Sequence, residues 1–274
     1  MAQRACQSFL TPIQRATHGA RVRACRKRKS ACKRRSPRRG ARTSVKRSDT
    51  LSRRDIIGRL TTVHNPWLDI PLSDYEGHMA LPEVDQSRML SDEFARLLDA
   101  HRPRSIALIG CAGGNGFERI DARRTTRVVG VDINPDYLEV ARSRFDGAFA
   151  SLELICIDVS GRAPEIEPVE LVFAGLIFEY VDAGLVLRKL AAVLQPTGTL
   201  AAVVQLPSPG KTPVTRTPFS SLRRLTPIMQ LLPPEQLIGE ARNAGLTIAS
   251  SRRVLLNTGK NFQLLEFGVG ARVA

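Results

Sequence analysis

The chain has 274 residues, 41 Lys and Arg against 26 Asp and Glu, and a formal net charge of +15. The excess is local: residues 1–62 hold 19 basic and 2 acidic residues, a net of +17, whereas residues 63–274 hold 22 and 24, a net of −2. The high pI therefore does not describe the near-neutral part of the chain, and it does not by itself make that part a nucleic-acid binder.

Residues 1–62 read as a basic, disordered extension. Phe9 is their sole aromatic, and they carry too little apolar surface to offset the entropy of ordering. Non-specific phosphate binding, an organellar transit peptide and a nuclear-import patch are three readings of such a segment. A compositional explanation competes with all three. Arg outnumbers Lys 15 to 4 in the segment and 19 to 3 in the rest, so the bias belongs to the whole chain. A solvated extension, or upstream sequence translated from a mis-assigned start, is the expectation.

Residues 63–274 are long enough for one α/β domain. No apolar run reaches the roughly 18 residues of a membrane span, and the start lacks the apolar stretch of a secretory signal. Of five cysteines, Cys6, Cys25 and Cys32 lie in the basic segment and Cys111 and Cys156 in the domain. No Cys-x-x-Cys or Cys/His zinc spacing occurs. A reduced, cytoplasmic, metal-free protein without a membrane partner is expected. The sequence leaves the oligomeric state open.

Along the domain, residues 66–81 look irregular, punctuated by Pro66, Pro71 and Pro82. Met89, Leu90, Phe94, Leu97 and Leu98 then recur at helical spacing, which predicts a helix over 81–100. Ser105–Ile109 is a predicted buried strand, followed by glycines and a helix opening near Asn115. Strand and helix alternate from there: strand 127–131, helix 135–145, strand 152–157, strand 171–176, helix 183–194, strand 199–205. Continuous Val/Ile/Leu runs indicate strands covered on both faces, hence a parallel sheet. A helix over 234–244 and two strands, 246–256 and 261–267, turned by Asn257-Thr258-Gly259, complete the pattern. The expected fold is a doubly wound α/β domain with seven strands, mostly parallel, closed by an antiparallel C-terminal hairpin.

Three features converge on the carboxyl edge of that sheet. The first strand runs into Gly110-Cys111-Ala112-Gly113-Gly114-Asn115-Gly116, where glycines let backbone approach a ligand. Asp132 ends the second strand, where a carboxylate can accept two ribose hydroxyls. Asp158 ends the third, where it can receive an adenine amino group. Taken singly, each has a plain explanation: glycine turns are common, Asp132 would cap the helix at Pro135, and Asp158 would cap a turn at Gly161. In this order they are far more specific.

The segments IALIGCAGGNGFERI, VVGVDINPDYLEVARSRF, LICIDVSG, LVFAGLIFEYVD and LRKLAAVLQPTGTLAAVV, with the last helix and hairpin, resemble the class I (Rossmann-like) S-adenosylmethionine-dependent methyltransferases of small-molecule type. The resemblance covers about residues 65–270. It implies S-adenosyl-L-methionine as cofactor, held by the loop residues Gly110, Cys111, Ala112 and Gly114, by Asp132 and Ile133 at the ribose and adenine, and by Asp158 and Val159 at the adenine edge. It also implies Ala174 near the sulfonium and Tyr75 as an aromatic cover. Two departures stand out: Leu108 occupies the place of a frequent acid, and Ala112 replaces the middle glycine.

Methyl transfer needs alignment more than acid–base chemistry, so a base is required only if the acceptor must lose a proton. The catalytic candidates are His78, which titrates near neutrality, and Glu179 just past the fourth strand. The plain readings are a capping histidine and a helix-start charge. Cys111 and Cys156 read as small packing residues. The proline-rich stretch 206–233 reads as a substrate lid, whose Lys211, Arg216, Arg223 and Arg224 would favour an anionic acceptor or simply face water.

The leading expectation is methyl transfer to a small-molecule acceptor. A nucleic-acid methyltransferase, using nucleic acid only through residues 1–62, is the first alternative. It lacks an Asn/Asp-Pro-Pro-aromatic motif where this chain has Phe178-Glu179-Tyr180. A nicotinamide oxidoreductase is the second; none of Tyr75, Tyr137 and Tyr180 has a Lys four residues on. A cofactor-binding protein without turnover is the third.

Overall fold

The computed structural model describes residues 64–270. The expectations for residues 1–62 lie outside the described residues. Seven strands form one sheet: β1 Ser105–Ile109, β2 Arg127–Asp132, β3 Ser151–Cys156, β4 Val169–Gly175, β5 Leu194–Leu206, β6 Leu246–Leu255 and β7 Asn261–Val269. Their order is β3-β2-β1-β4-β5-β7-β6. The first five run parallel, and β7 pairs antiparallel to both β5 and β6. The hairpin therefore turns back on itself, and β7, not β6, joins the parallel strands.

The apolar runs of β1, β2 and β4 are covered on both faces, as expected for parallel β-structure, whereas the edge strand β3 is half-buried. Alternate residues go to opposite layers. Ala107, Ile109, Val129, Val131 and Val172 pack with helices α4 (Ala183–Ala191) and α5 (Pro234–Asn243) through Val186, Leu190 and Leu237. Ile106, Leu108, Val128, Leu171 and Phe173 face helix α2 (Gln86–His101) through Met89, Phe94 and Leu97. Helix α3 (Pro135–Phe145) contributes Leu138 to that second layer.

Two local expectations fail. Residues 72–80 form a helix, α1 (Leu72–Ala80). Its prolines mark starts instead of coil: Pro66 opens a 3-10 turn over Pro66–Asp69, and Pro71 precedes α1, positions that need no N–H. Gly77, within α1, sits where a Cβ would lie 2.4 Å from the Phe219 ring. The glycine makes room for the 206–233 segment. Secondly, no α-helix follows the glycine loop; only a 3-10 turn, Phe117–Arg119, appears there. Phe117 and Ile120 are the buried residues of that stretch, and Asp121-Ala122-Arg123-Arg124 offers no apolar face to hold a helix on the sheet. Among the described residues, no helix is long and apolar enough to cross a membrane.

Candidate active site

The carboxyl ends of β1, β2 and β4 open into one cavity. Its wall includes Gly110 and Ala112 from the loop, Asp132 and Ile133 after β2, Asp158 and Val159 after β3, and Leu176 and Ile177 after β4. Leu176 and Ala112 are non-glycines with φ of 58° and 48°. Such left-handed strain at a cavity wall persists only where the surroundings impose it.

Asp132 is 8% exposed, and both its oxygens accept backbone N–H groups: Oδ2 from Ala112 at 2.8 Å and Oδ1 from Asn134 at 2.9 Å. It does not cap α3. That cap is Asn134, which accepts from the Asp136 N–H at 3.0 Å and precedes Pro135. Asp132 thus ties the glycine loop to the β2–α3 turn while lining the cavity. Burial raises its pKa, and the backbone donors oppose that shift. Asp158 is exposed; Oδ1 accepts from the Ser160 N–H at 2.8 Å, so it shapes its own turn and also faces the cavity.

The glycine loop is largely self-satisfied. The N–H groups of Gly110 and Cys111 donate to Val131 O, those of Gly114 and Asn115 to Cys111 O, and that of Gly116 to the Glu118 carboxylate. It is a shaped turn with its donors mostly committed, not an anion cradle at a helix start. Gly110 has φ +72°, and a Cβ there would meet the end of the Ile177 side chain at 2.3 Å. Gly114 and Ala174 do not line the cavity. A Cβ on Gly114 would meet Phe145 and Phe117, and Ala174 is fully buried in the sheet layer. Cys111 lines a neighbouring cavity with Asn115 and Leu108, and its thiol is buried. Cys156 is exposed, not packed inside, and its thiol donates to Ile133 O. Burial raises both thiol pKa values, so neither is an activated nucleophile.

An aromatic cover lies over this edge. Trp67 meets Tyr75 and Tyr180 edge-on at 5.8 and 5.2 Å, and Tyr75 stacks on Tyr137 at 6.2 Å. The cover is pinned by Asn134 Nδ2 donating to Trp67 O and by the Tyr137 hydroxyl donating to Ile70 O at 2.8 Å. Glu76 on α1 pairs with Arg144 on α3, which also donates to Gly113 O. Leu222 and Leu225, in a 3-10 turn over Ser220–Leu225, pack under Ile70, Trp67 and Tyr75. The 206–233 segment thus packs against α1 and the turn before it.

The far end of the cavity is polar. His78, Gln86, Gln205 and Lys260 line it, and all four are buried. His78 Nδ1 lies 3.0 Å from the Thr217 hydroxyl. Gln86 Nε2 donates to Gln205 Oε1 at 3.3 Å, and Gln205 Nε2 donates to Pro213 O at 3.1 Å. Burial, then Lys260, lowers the His78 pKa. Glu179 is buried behind this wall: Oε1 accepts the Gln205 N–H at 2.6 Å, Oε2 has no partner, and burial lifts the carboxyl to about 7. It is not a helix-start charge, because α4 begins at Ala183 with Asp182 as its cap. Lys211, Arg216, Arg223 and Arg224 are all exposed. The cavity's cation is Lys260, which sequence reasoning missed: a Lys in a hairpin turn ordinarily signals solvent.

The acceptors on this wall suit an adenosine. Two carboxylates face a cavity whose remaining wall there is Ile109, Ile133, Ile157 and Val159, apolar surfaces suited to a purine ring.

The sheet order, the antiparallel β7 and a site at the carboxyl ends of the parallel strands define a class I, Rossmann-like methyltransferase fold. Residues 106–198 match the family model described as a methyltransferase domain. Among curated proteins, the trans-aconitate 2-methyltransferase of Rhodopseudomonas palustris (strain BisB18) is 30% identical over 138 residues, covering 50% of this chain and 51% of that one. The chain spans about half the length of the curated relatives it matches. The N-methyltransferase NodS from Bradyrhizobium japonicum WM9, in complex with S-adenosyl-L-homocysteine, superposes with a TM-score of 0.50 at 18% identity, covering 66% of this chain and 85% of that one. The [4+2]-cyclase SpnF superposes with a TM-score of 0.52 at 15% identity, covering 68% and 82%. At such identities the likeness concerns the fold, and the fold hosts more than one reaction.

Proposed function

We propose that this domain binds S-adenosyl-L-methionine and transfers its methyl group to a small-molecule acceptor. The observation that carries the reading is the convergence of Asp132, Asp158 and the glycine loop on one cavity at the carboxyl edge of the sheet. When bound, the cofactor supplies a methyl group on a cationic sulfonium. Asp132 would accept the ribose hydroxyls, Asp158 the adenine amino group, and Ile133 and Val159 would flank the ring. Gly110, Cys111, Ala112 and Gly114 form the turn beneath the methionine part; Gly114 and Ala174 would act from behind the wall, as packing. Tyr75, with Trp67 and Tyr180, excludes water, and burial together with Asp132 keeps the Tyr75 hydroxyl protonated.

Of the two base candidates, His78 is the better supported because it lines the cavity. Its lowered pKa leaves it neutral at pH 7, and in the tautomer whose Nδ1–H donates to the Thr217 hydroxyl, Nε2 is the atom free to take a proton. Glu179 stands behind Gln205 and acts as a support of that wall. The match of residues 106–198 to a methyltransferase domain speaks against the nicotinamide alternative. The nucleic-acid alternative keeps only residues 1–62. Cytoplasmic action belongs to the proposal, supported by the free thiols of Cys111 and Cys156.

Calorimetric titration of the full chain with S-adenosyl-L-homocysteine tests the site. Binding that weakens at least about tenfold in Asp132→Ala is expected for loss of a charge-assisted ribose contact. Equal affinity in the variant removes the assignment. Transfer of labelled methyl to trans-aconitate is the first turnover assay, because the curated relatives carry that name.

A further inference from the structure

Lys260 is 3% exposed and lies on the turn between β6 and β7, on the cavity wall. Its Nζ donates to Pro213 O at 2.8 Å. An ammonium has three donors, and among the described residues no other acceptor and no carboxylate partners it. The charge that acts on it, Lys211, is of the same sign. Its cavity neighbours, His78, Gln86 and Gln205, are neutral hydrogen-bonding groups. A buried cation without a counter-charge is costly to fold, and a merely structural role does not explain it. The carbonyl it holds, Pro213 O, already receives Gln205 Nε2 at 3.1 Å. A neutral side chain would satisfy the lid equally well.

We propose that Lys260 binds a carboxylate of the methyl acceptor, with Gln86, Gln205 and His78 around it as neutral hydrogen-bonding partners. This deepens the methyl-transfer reading of the cavity and rests on it. The cofactor has a carboxylate of its own, in its methionine part, but position separates the two. Lys260 precedes β7, three strands from β1 in the order β1-β4-β5-β7. At about 4.8 Å per strand the Lys260 backbone lies about 14 Å along the sheet from β1, and its Nζ is held at Pro213 O, not at the glycine loop. The cationic end of the cavity is therefore the acceptor end.

The test is calorimetry on the full chain loaded with S-adenosyl-L-homocysteine. The probes are succinate, citrate and trans-aconitate, with the trimethyl ester of trans-aconitate as the uncharged control. At least one carboxylate is expected to bind wild-type protein, while the ester does not. Lys260→Met should weaken that binding at least tenfold, Lys260→Arg should keep more of it, and both should bind S-adenosyl-L-homocysteine as wild type does. The Lys260→Met chain should also melt at or above the wild-type temperature, because an unpaired buried charge is gone. The proposal is overturned if no carboxylate binds, if the ester binds as well, or if Lys260→Met binds the carboxylate unchanged. A fall in S-adenosyl-L-homocysteine affinity in Lys260→Met also overturns it, by assigning Lys260 to the cofactor's own carboxylate. Failure of wild-type protein to bind S-adenosyl-L-homocysteine overturns the underlying reading instead, and the proposal with it. Should Lys260→Met not fold, Lys260→Gln takes its place, and unchanged carboxylate affinity in that variant overturns the proposal.

Discussion

Glu179 should make the stability of this domain depend on pH in a direction unusual for a carboxylate. Its side chain is 1% exposed, one oxygen takes the Gln205 N–H, and the other has no partner. Burial lifts its pKa from an ordinary 4.5 to about 7. Between those values the folded chain holds a proton that the unfolded chain has released. The contribution is therefore complete below 4.5 and is lost as pH rises to about 7. A displacement of that size corresponds to about 3 kcal/mol. In Glu179→Gln the amide oxygen can still accept from Gln205, while its NH2 stands where no acceptor lies, a cost of about 1–3 kcal/mol that does not vary with pH. Urea unfolding of both chains at pH 4.5, 6, 7 and 8 isolates the ionisation. The wild type should lose about 3 kcal/mol relative to the variant across that range. Parallel stability curves would refute the argument and mean that the carboxyl is solvated or paired in the folded state.

Gly110→Ala places a Cβ at φ +72° against Ile177, which should cost about 1–2 kcal/mol in backbone strain and weaken S-adenosyl-L-homocysteine binding, as calorimetry would read. Asn134→Ala removes the α3 cap and the tie to Trp67; about 1 kcal/mol of stability should go, and Trp67 fluorescence should shift as its backbone anchor is released. Leu97→Ala, at a fully buried site on α2, should cost about 2–5 kcal/mol by urea melt without changing the cavity wall. If His78 accepts the acceptor's proton, kcat/KM should fall as pH drops through a value below 6.5, and His78→Gln should flatten that limb; an unchanged profile would remove His78 from the chemistry.

Local signals made the strands, α3, the terminal hairpin and both cavity carboxylates legible before any coordinates. A buried parallel strand announces itself by its apolar run, and the residue that ends it must lie at the sheet's carboxyl edge. Asp132 and Asp158 could therefore be placed by counting. The cap before Pro135 was misplaced: Asp132 was the candidate, whereas Asn134 caps α3 and also holds Trp67. The errors occurred where a local pattern was overridden from elsewhere in the chain. Gly77 stands inside α1 because Phe219 needs its space, and the glycine loop ends in a short turn because the charged residues after it have nothing to bury.

Sequence by itself determined the layer order of apolar and polar residues, and so the sheet and its ligand-facing edge. That follows because side-chain periodicity is a property of neighbouring residues. Only the tertiary structure decided which charges are buried. Lys211, Arg216, Arg223 and Arg224 look like a cationic lid and face water, whereas the lone Lys260 on a turn is buried because β7 inserts between β5 and β6 and carries it to the cavity wall. The electrostatic environment of a side chain is set by whatever folds back over it, and in this chain that cover comes from α1, the lid and β5, remote from Lys260 in sequence.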